Sequence, residues 1–303
     1  MITPATLHKR EQLHQFIVRV MAPETAVKGI VGVGSIATGR CRPDSDIDAV
    51  VFLEPFDEYI VPAEAIWDPH TDTFHSIFTQ DKAIHAHGLQ LDFKRLPWQK
   101  WCLSDFEWPE EIRHELGNGW IAYDPTGAVE QLIGQRTIYP DDLRQQRLDE
   151  AVTWLDQHLN WDAPETNWQN LGPARALDRL QAAYHYLIVG LFAYNYQWQG
   201  WRNRELDSVL RLAWLPRNFD GRVLLAANTS SLDHVGYQMR VQTLKELFAE
   251  FQEALLANDD YESDPIEEAF IRTAEEPGRA WNMDAWNHTR QERLRLLTGK
   301  SVL

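Results

Sequence analysis

Two short apolar runs rich in β-branched residues, joined by a loop of turn residues, limit most strongly how this chain can fold. The runs cover residues 27–33 and 47–53, and the stretch between them reads GSIATGRCRPDSD. Short β-branched runs bounded by Gly, Pro, Asp and Ser predict strands. The first part of the chain is therefore expected to form a sheet, with a third strand at 89–96 and edge strands at 74–78 and 120–123.

The second of these strands begins with Asp46-Ile47-Asp48. Successive side chains on a strand point to opposite faces, so both carboxylates are expected on one face while Ile47 turns into the core. Two adjacent carboxylates repel each other unless a cation lies between them. Hard oxygen ligands at this spacing suit Mg²⁺, which keeps positions open for phosphate oxygens.

A third carboxylate is predicted from the strand at 89–96. Asp92 lies there between Leu91 and Phe93, in a run that otherwise reads as apolar and alternating. A third acid near the first two would complete a metal site of the kind used in phosphoryl transfer.

The turn that follows the first strand carries residues suited to binding phosphate. Gly34 allows close approach to the backbone, and Ser35 offers a hydroxyl and an amide at a predicted helix start. Further phosphate contacts are expected from the loop, at Arg40, Arg42 and Ser45.

The pattern changes after residue 143, where helical periodicity replaces short strands. One segment, 259–276, holds eight acids and one arginine, a composition that favours an exposed loop. The fold class is thus predicted as α+β, a small mixed sheet with flanking helices followed by a helical bundle. The predicted helices of the bundle cover residues 143–160, 174–199, 205–215, 236–257 and 284–297.

Net charge and composition limit the classes of ligand and the cellular location expected for this protein. The net charge of -16, from 45 acids and 29 bases, disfavours long nucleic acid as a partner. It would attract a small cationic ligand, although solubility alone is the favoured explanation for such acidity. Only two cysteines, no apolar leader and no long apolar run predict a cytoplasmic protein without a membrane span.

Together, these motifs resemble the signature of the DNA polymerase beta-type nucleotidyltransferase superfamily. The resemblance rests on Gly34-Ser35, Gly39-Arg40, the run 44–48 and the later strand Asp92. It implies that Gly34 and Ser35 hold a nucleoside triphosphate. It also implies that Asp46 and Asp48 bind two Mg²⁺ ions, and that Asp92 binds the catalytic metal or helps to activate the acceptor hydroxyl.

An αβ domain followed by a helical one is similar to the layout of nucleotidyltransferases that act on aminoglycosides or lincosamides, as is the strand-turn at 121–127. This likeness implies a catalytic domain at 1–140 and a helical substrate-binding domain at 141–303. The implied reaction moves a nucleoside monophosphate, with AMP from ATP as the first candidate, to a hydroxyl of a small antibiotic-like molecule. The alternatives are nucleotidylation of a protein partner and a nucleotide-binding or antitoxin-like module without catalysis.

Four histidines, at 70, 75, 85 and 87, raise a separate hypothesis of a zinc site. The last two would alternate on a strand, and histidine is a common zinc ligand. No cysteine accompanies them, so scattered surface histidines are the favoured interpretation.

Overall fold

The computed structural model describes residues 2–273 and 283–298, and the chain divides into two compact units, Met1–Ile138 and Tyr139–Leu303. The first unit contains a mixed sheet with flanking helices, and the second is helical. The predicted α+β class is confirmed. Among the described residues, no helix combines the length and apolar character needed to cross a bilayer.

The sheet has six strands in the order β4-β3-β5-β2-β1-β6. Strands β2 and β5 are parallel, and every other neighbouring pair is antiparallel. The strands are β1 (Val27–Gly32), β2 (Ile47–Leu53), β3 (Glu64–Asp68), β4 (Thr73–His75), β5 (Leu89–Pro97) and β6 (Trp120–Tyr123).

The helices of the first unit lie before, between and after these strands. Thr3 caps the first helix by accepting a hydrogen bond from the Thr6 amide, and Pro4 opens it. The helices are α1 (Pro4–Phe16, followed by a π turn at Ile17–Met21), α2 (Gly34–Thr38), α3 (Lys82–His87), α4 (Trp98–Cys102), α5 (Glu110–Gly117) and α6 (Ala128–Arg136).

Both faces of the sheet are covered by apolar side chains. On one face, alternate residues of β2 such as Ile47 and Val51 pack with Phe16 of α1. On the other face, Val50 and Phe52 belong to a second core that contains the buried tryptophans of the α4–α5 region. Since side chains alternate along a strand, Asp48 belongs to this second face, at its end.

The second unit is a set of helices whose core includes residues along α9 such as Leu180, Leu187 and Leu191. The helices are α7 (Asp141–Asp156, followed by a π turn at Gln157–Trp161), α8 (Pro164–Leu171), α9 (Pro173–Tyr194), α10 (Glu205–Val209), α11 (Phe219–Ala227), α12 (His234–Ala257), α13 (Pro265–Thr273) and α14 (Met283–Thr298).

Several predicted boundaries are wrong. Helix α9 ends at Tyr194 instead of 199, and Tyr196 adopts a positive φ of 55° that no continuing helix allows. The helix expected at 205–215 is only the short α10. Strand β3 was not predicted, and the edge strand expected at 74–78 is limited to Thr73–His75.

The acid-rich segment is not the exposed loop that its composition predicted, at least up to residue 273; positions 274–276 lie outside the described residues. Its part Pro265–Thr273 forms α13, and Arg272 donates two hydrogen bonds of 2.8 Å to the buried carboxylate of Asp149 on α7. Asp260 pairs with Arg144 at 2.5 Å and 3.0 Å. Partners from α7, more than 100 positions away, therefore order this segment.

Candidate active site

Asp48 and Asp92 lie side by side in the sheet. They are direct partners in the parallel pairing of β2 with β5. Directly opposed residues of neighbouring strands are separated by only about 5 Å and point to the same face. Asp48 is half-buried, whereas Asp92 is exposed. The two carboxylates expected on neighbouring strands thus share one face.

Gly34 lies directly against Asp48. Its φ of +59° is in the left-handed region, and a Cβ atom there would meet Asp48 Oδ2 at 2.6 Å. The preceding Val33 amide donates a 2.9 Å hydrogen bond to the Asp48 carbonyl. Glycine is therefore required at this position for both conformation and space.

Glu64 extends the pair into a row, which was not foreseen from the sequence. In the antiparallel pairing of β3 with β5, Glu64 is the partner of Asp92. Asp48, Asp92 and Glu64 therefore occupy adjacent positions on β2, β5 and β3, and we call these three residues the acidic row. Glu64 was missed because β3 was not predicted: its sequence, EAIWD, does not alternate between apolar and polar residues.

Asp46 lies one residue before β2 and is half-buried. Its neighbourhood includes Lys9 of α1, another residue that sequence reasoning did not single out. Burial lowers the pKa of the Lys9 ammonium group, while the nearby Cys41, Asp46 and Asp44 act in the opposite direction. A lysine thus lies close to the acidic motif, where it is suited to contacting an anionic ligand.

The remaining predicted residues lie in the loop between α2 and β2. The Ser35 hydroxyl is 3.4 Å from Cys41 Sγ. Ser45 Oγ accepts a 3.0 Å hydrogen bond from the Arg42 amide and so closes a turn. Arg40 is exposed, and Arg42 pairs with exposed Asp44 at 3.3 Å. The structure thus brings Gly34 against Asp48, while Ser45 and Arg42 make contacts within the loop.

The start of α1 anchors this loop. Thr3 Oγ1 donates a 3.1 Å hydrogen bond to the Cys41 carbonyl, and the Cys41 amide donates one of 2.9 Å to Thr6 Oγ1. The Thr3 amide donates to the Gly39 carbonyl at 2.9 Å. These contacts fix the chain that links the glycine-serine turn to Asp46.

The acidic face fits the metal that its sequence suggests. Asp48 and Asp92 present only carboxylate oxygens, and hard oxygen donors suit Mg²⁺ better than a soft transition metal. Repulsion between neighbouring carboxylates is relieved when a cation binds between them. The Asp48 carboxylate packs directly against the backbone of Gly34, where a side chain would otherwise lie.

The histidines are not arranged as expected. His85 and His87 lie on helix α3 and not on a strand. His70 and His87 converge on Asp68 at the end of β3, so these two are not scattered. His85 instead contacts the Thr79 carbonyl at 2.8 Å.

Comparisons with known proteins gave a family match over part of the chain and a likeness to a solved structure. No curated protein sequence matches the chain. A solved structure of a nucleotidyltransferase-like protein from Exiguobacterium sibiricum is similar over 96% of this chain and 89% of that one, at 13% identity and a TM-score of 0.39. Residues 16–118, which include the glycine-serine turn and the acidic row, match the family described as "Nucleotidyltransferase domain", and this match supports nucleotidyl transfer as the general activity.

Proposed function

We propose that this protein transfers a nucleoside monophosphate from a nucleoside triphosphate, with ATP as the first candidate, to a hydroxyl of a small molecule. The observation that carries the proposal is the direct pairing of Asp48 with Asp92 beside the left-handed Gly34. Mg²⁺ would be held by Asp46, Asp48 and Asp92. When bound, it neutralises charge on the phosphoryl oxygens.

The protein's own residues position the triphosphate. Gly34 allows phosphate oxygens to approach the backbone, and Ser35 offers its hydroxyl and amide beside them. The ammonium group of Lys9 and the guanidinium of Arg40 add positive charge near the acidic motif. Because the loop is anchored to α1 by Thr3, these groups are placed before the nucleotide binds.

The reaction that this arrangement supports is an in-line displacement at the α-phosphorus. The acceptor oxygen forms a bond to that phosphorus, the bond to the oxygen bridging the α and β phosphates breaks, and pyrophosphate leaves. The acceptor's proton passes to the exposed carboxylate of Asp92.

A cationic acceptor, such as an amino sugar, is the favoured small molecule. Glu64 adds an exposed carboxylate next to Asp92, on the side away from Asp48. The chain as a whole carries a net charge of -16, which attracts cations. We therefore assign Glu64 to binding the positive charge of the acceptor.

The test uses ATP labelled on the α-phosphate, Mg²⁺ and a panel of aminoglycosides and lincosamides. Wild-type protein should place label on at least one compound and release pyrophosphate. Asp48→Asn should reduce the rate about 10³-fold, in the upper range for removing one electrostatic contact to a transition state. Asp44→Asn is the matched control, because it removes an exposed carboxylate from the loop just before β2 and should retain activity.

The other outcomes separate the competing functions. Label confined to a protein band would replace the small-molecule acceptor with a protein partner. Binding of ATP without pyrophosphate release under any condition would favour a nucleotide-binding or antitoxin-like module. Equal activity of Asp48→Asn and Asp44→Asn would contradict the proposed site.

A further inference from the structure

Asp68, His70 and His87 form a second cluster of metal-ligating side chains, which we call the histidine cluster. Their ligand atoms all lie within 4.8 Å of one another. His87 Nε2 is 3.2 Å from Asp68 Oδ1, and the rings of His70 and His87 have centroids 4.8 Å apart. A carboxylate and two imidazoles thus converge from the end of β3, the following turn and the end of α3.

The carboxylate at the centre of this cluster is buried and oriented. Asp68 is only 5% exposed. The Thr71 hydroxyl donates a 2.8 Å hydrogen bond to Asp68 Oδ2, and the His70 amide donates one of 2.9 Å to Oδ1. These hydrogen bonds lower the pKa of the Asp68 carboxyl group. Such outer contacts are the type that orient carboxylates in metal centres.

The turn that carries His70 is also held in place. Arg19 donates 2.7 Å hydrogen bonds to the Pro69 carbonyl and to Asp72 Oδ2. The Asp72 amide closes the turn by donating a 3.0 Å hydrogen bond to the Asp68 carbonyl. The cluster is therefore supported by a fixed hairpin, as a ligand site requires.

A simple ion pair does not account for this arrangement. One imidazole would suffice to hydrogen-bond to Asp68, whereas here the ligand atoms of two imidazoles and the carboxylate all lie within 4.8 Å of one another. A divalent ion accepts lone pairs from both neutral imidazoles and from the carboxylate at once. Two histidines and one carboxylate are a set of protein ligands found at zinc sites.

We propose that Asp68, His70 and His87 bind a divalent transition-metal ion, with Zn²⁺ as the best-matched ion. The bound ion would tie the β3–β4 turn to the end of α3, directly before β5. The site is separate from the acidic row, because Asp68 lies four residues beyond Glu64, about 13 Å along β3. It requires no assumption about the transfer reaction.

The test is calorimetric titration of Zn²⁺ into full-length protein that has been stripped with EDTA and dialysed. Wild-type protein should bind one equivalent at this site. His70→Gln and His87→Ala should each weaken that binding by at least about tenfold, in line with losses seen on changing metal-site residues. His85→Ala is the matched control, since it removes an exposed histidine from the same helix and should bind like wild type.

Circular dichroism and thermal melting in EDTA establish that each variant is folded, and His70→Gln changes only an exposed side chain. Asp48→Asn should bind Zn²⁺ with unchanged affinity, because it alters the other cluster. The proposal is overturned if wild-type protein takes up no equivalent of Zn²⁺, or if folded His70→Gln and His87→Ala both bind it as tightly as His85→Ala.

Discussion

Strand β3 contributes a carboxylate to each of two clusters on the same face of the sheet, and the clusters differ in their other members. Glu64 lies in a row of oxygen donors with Asp92 and Asp48. Asp68, four residues further on, is joined by two imidazoles. Oxygen donors suit Mg²⁺ and a site open to phosphate, whereas imidazoles suit Zn²⁺ and a structural link. Glu64 and Asp68 lie on the same strand, so the side chains around each carboxylate determine which metal ion it suits.

After Asp48→Asn, the largest effect on the rate is expected from Gly34→Ala, which tests the contact that shapes the acidic row. The new Cβ would lie 2.6 Å from Asp48 Oδ2 and displace that carboxylate. A misplacement of this size can reduce a rate about 100-fold. The measurement is pyrophosphate release with the acceptor identified in the labelling screen.

Gly127→Ala is the matched control for this change. Gly127 also has a positive φ, of 73°, but no neighbouring atom lies within 4 Å of the added Cβ. Both variants should lose roughly 1 kcal/mol of stability from backbone strain. Only Gly34→Ala should lose activity, and equal rates for the two variants would show that the Asp48 contact is unimportant.

The next prediction is that the histidine cluster and the acidic row bind different metal ions. His87→Ala should weaken Zn²⁺ binding by about tenfold or more while the Mg²⁺ dependence of pyrophosphate release stays unchanged. Asp92→Asn should instead alter the Mg²⁺ dependence of pyrophosphate release while Zn²⁺ binding stays unchanged. Titration of each metal against both variants measures this, and loss of both properties in either variant would mean that the clusters are coupled.

A smaller effect is expected from Glu64→Gln at the outer end of the row. Removing its charge should raise the KM of a cationic acceptor about tenfold, equivalent to about 1.4 kcal/mol, with little change in kcat. Glu58→Gln, at another exposed position, serves as the control. Steady-state kinetics decide this, and a fall in kcat alone would assign Glu64 to the chemical step instead.

The smallest effect is expected from Lys9→Met. The Lys9 ammonium group is half-buried near Asp46, and its loss should raise the KM for the nucleoside triphosphate about threefold, a change typical of a partly exposed charge contact. Lys82→Met, on α3, is the control. An unchanged KM would leave Lys9 with a structural role only.

Local sequence patterns predicted the features that depend on neighbouring residues. Alternation along β2 correctly placed Ile47 in the core. Gly34 adopts a positive φ, and its role in phosphate binding stays a prediction. The α+β class followed from the change between short strands and helical periodicity.

Long-range pairing explains what the sequence did not reveal. Glu64 became visible only through its pairing with Asp92 across β3 and β5. The histidine cluster needs Asp68 and His87, which lie 19 positions apart. Helix α13 is ordered by an ion pair with Asp149 over 123 positions. Composition and periodicity describe neighbouring residues only, so they do not predict contacts between residues far apart in the sequence.

The central claim is that Asp48 and Asp92 share one Mg²⁺ site, and it can be tested without knowing the acceptor. The measurement is the Mg²⁺-dependent rise in melting temperature caused by a non-hydrolysable ATP analogue, using EDTA-stripped protein. Wild type and Asp44→Asn should show the rise, and Asp48→Asn, Asp92→Asn and their double variant should all lack it. A wild-type response in folded Asp92→Asn would contradict the shared site.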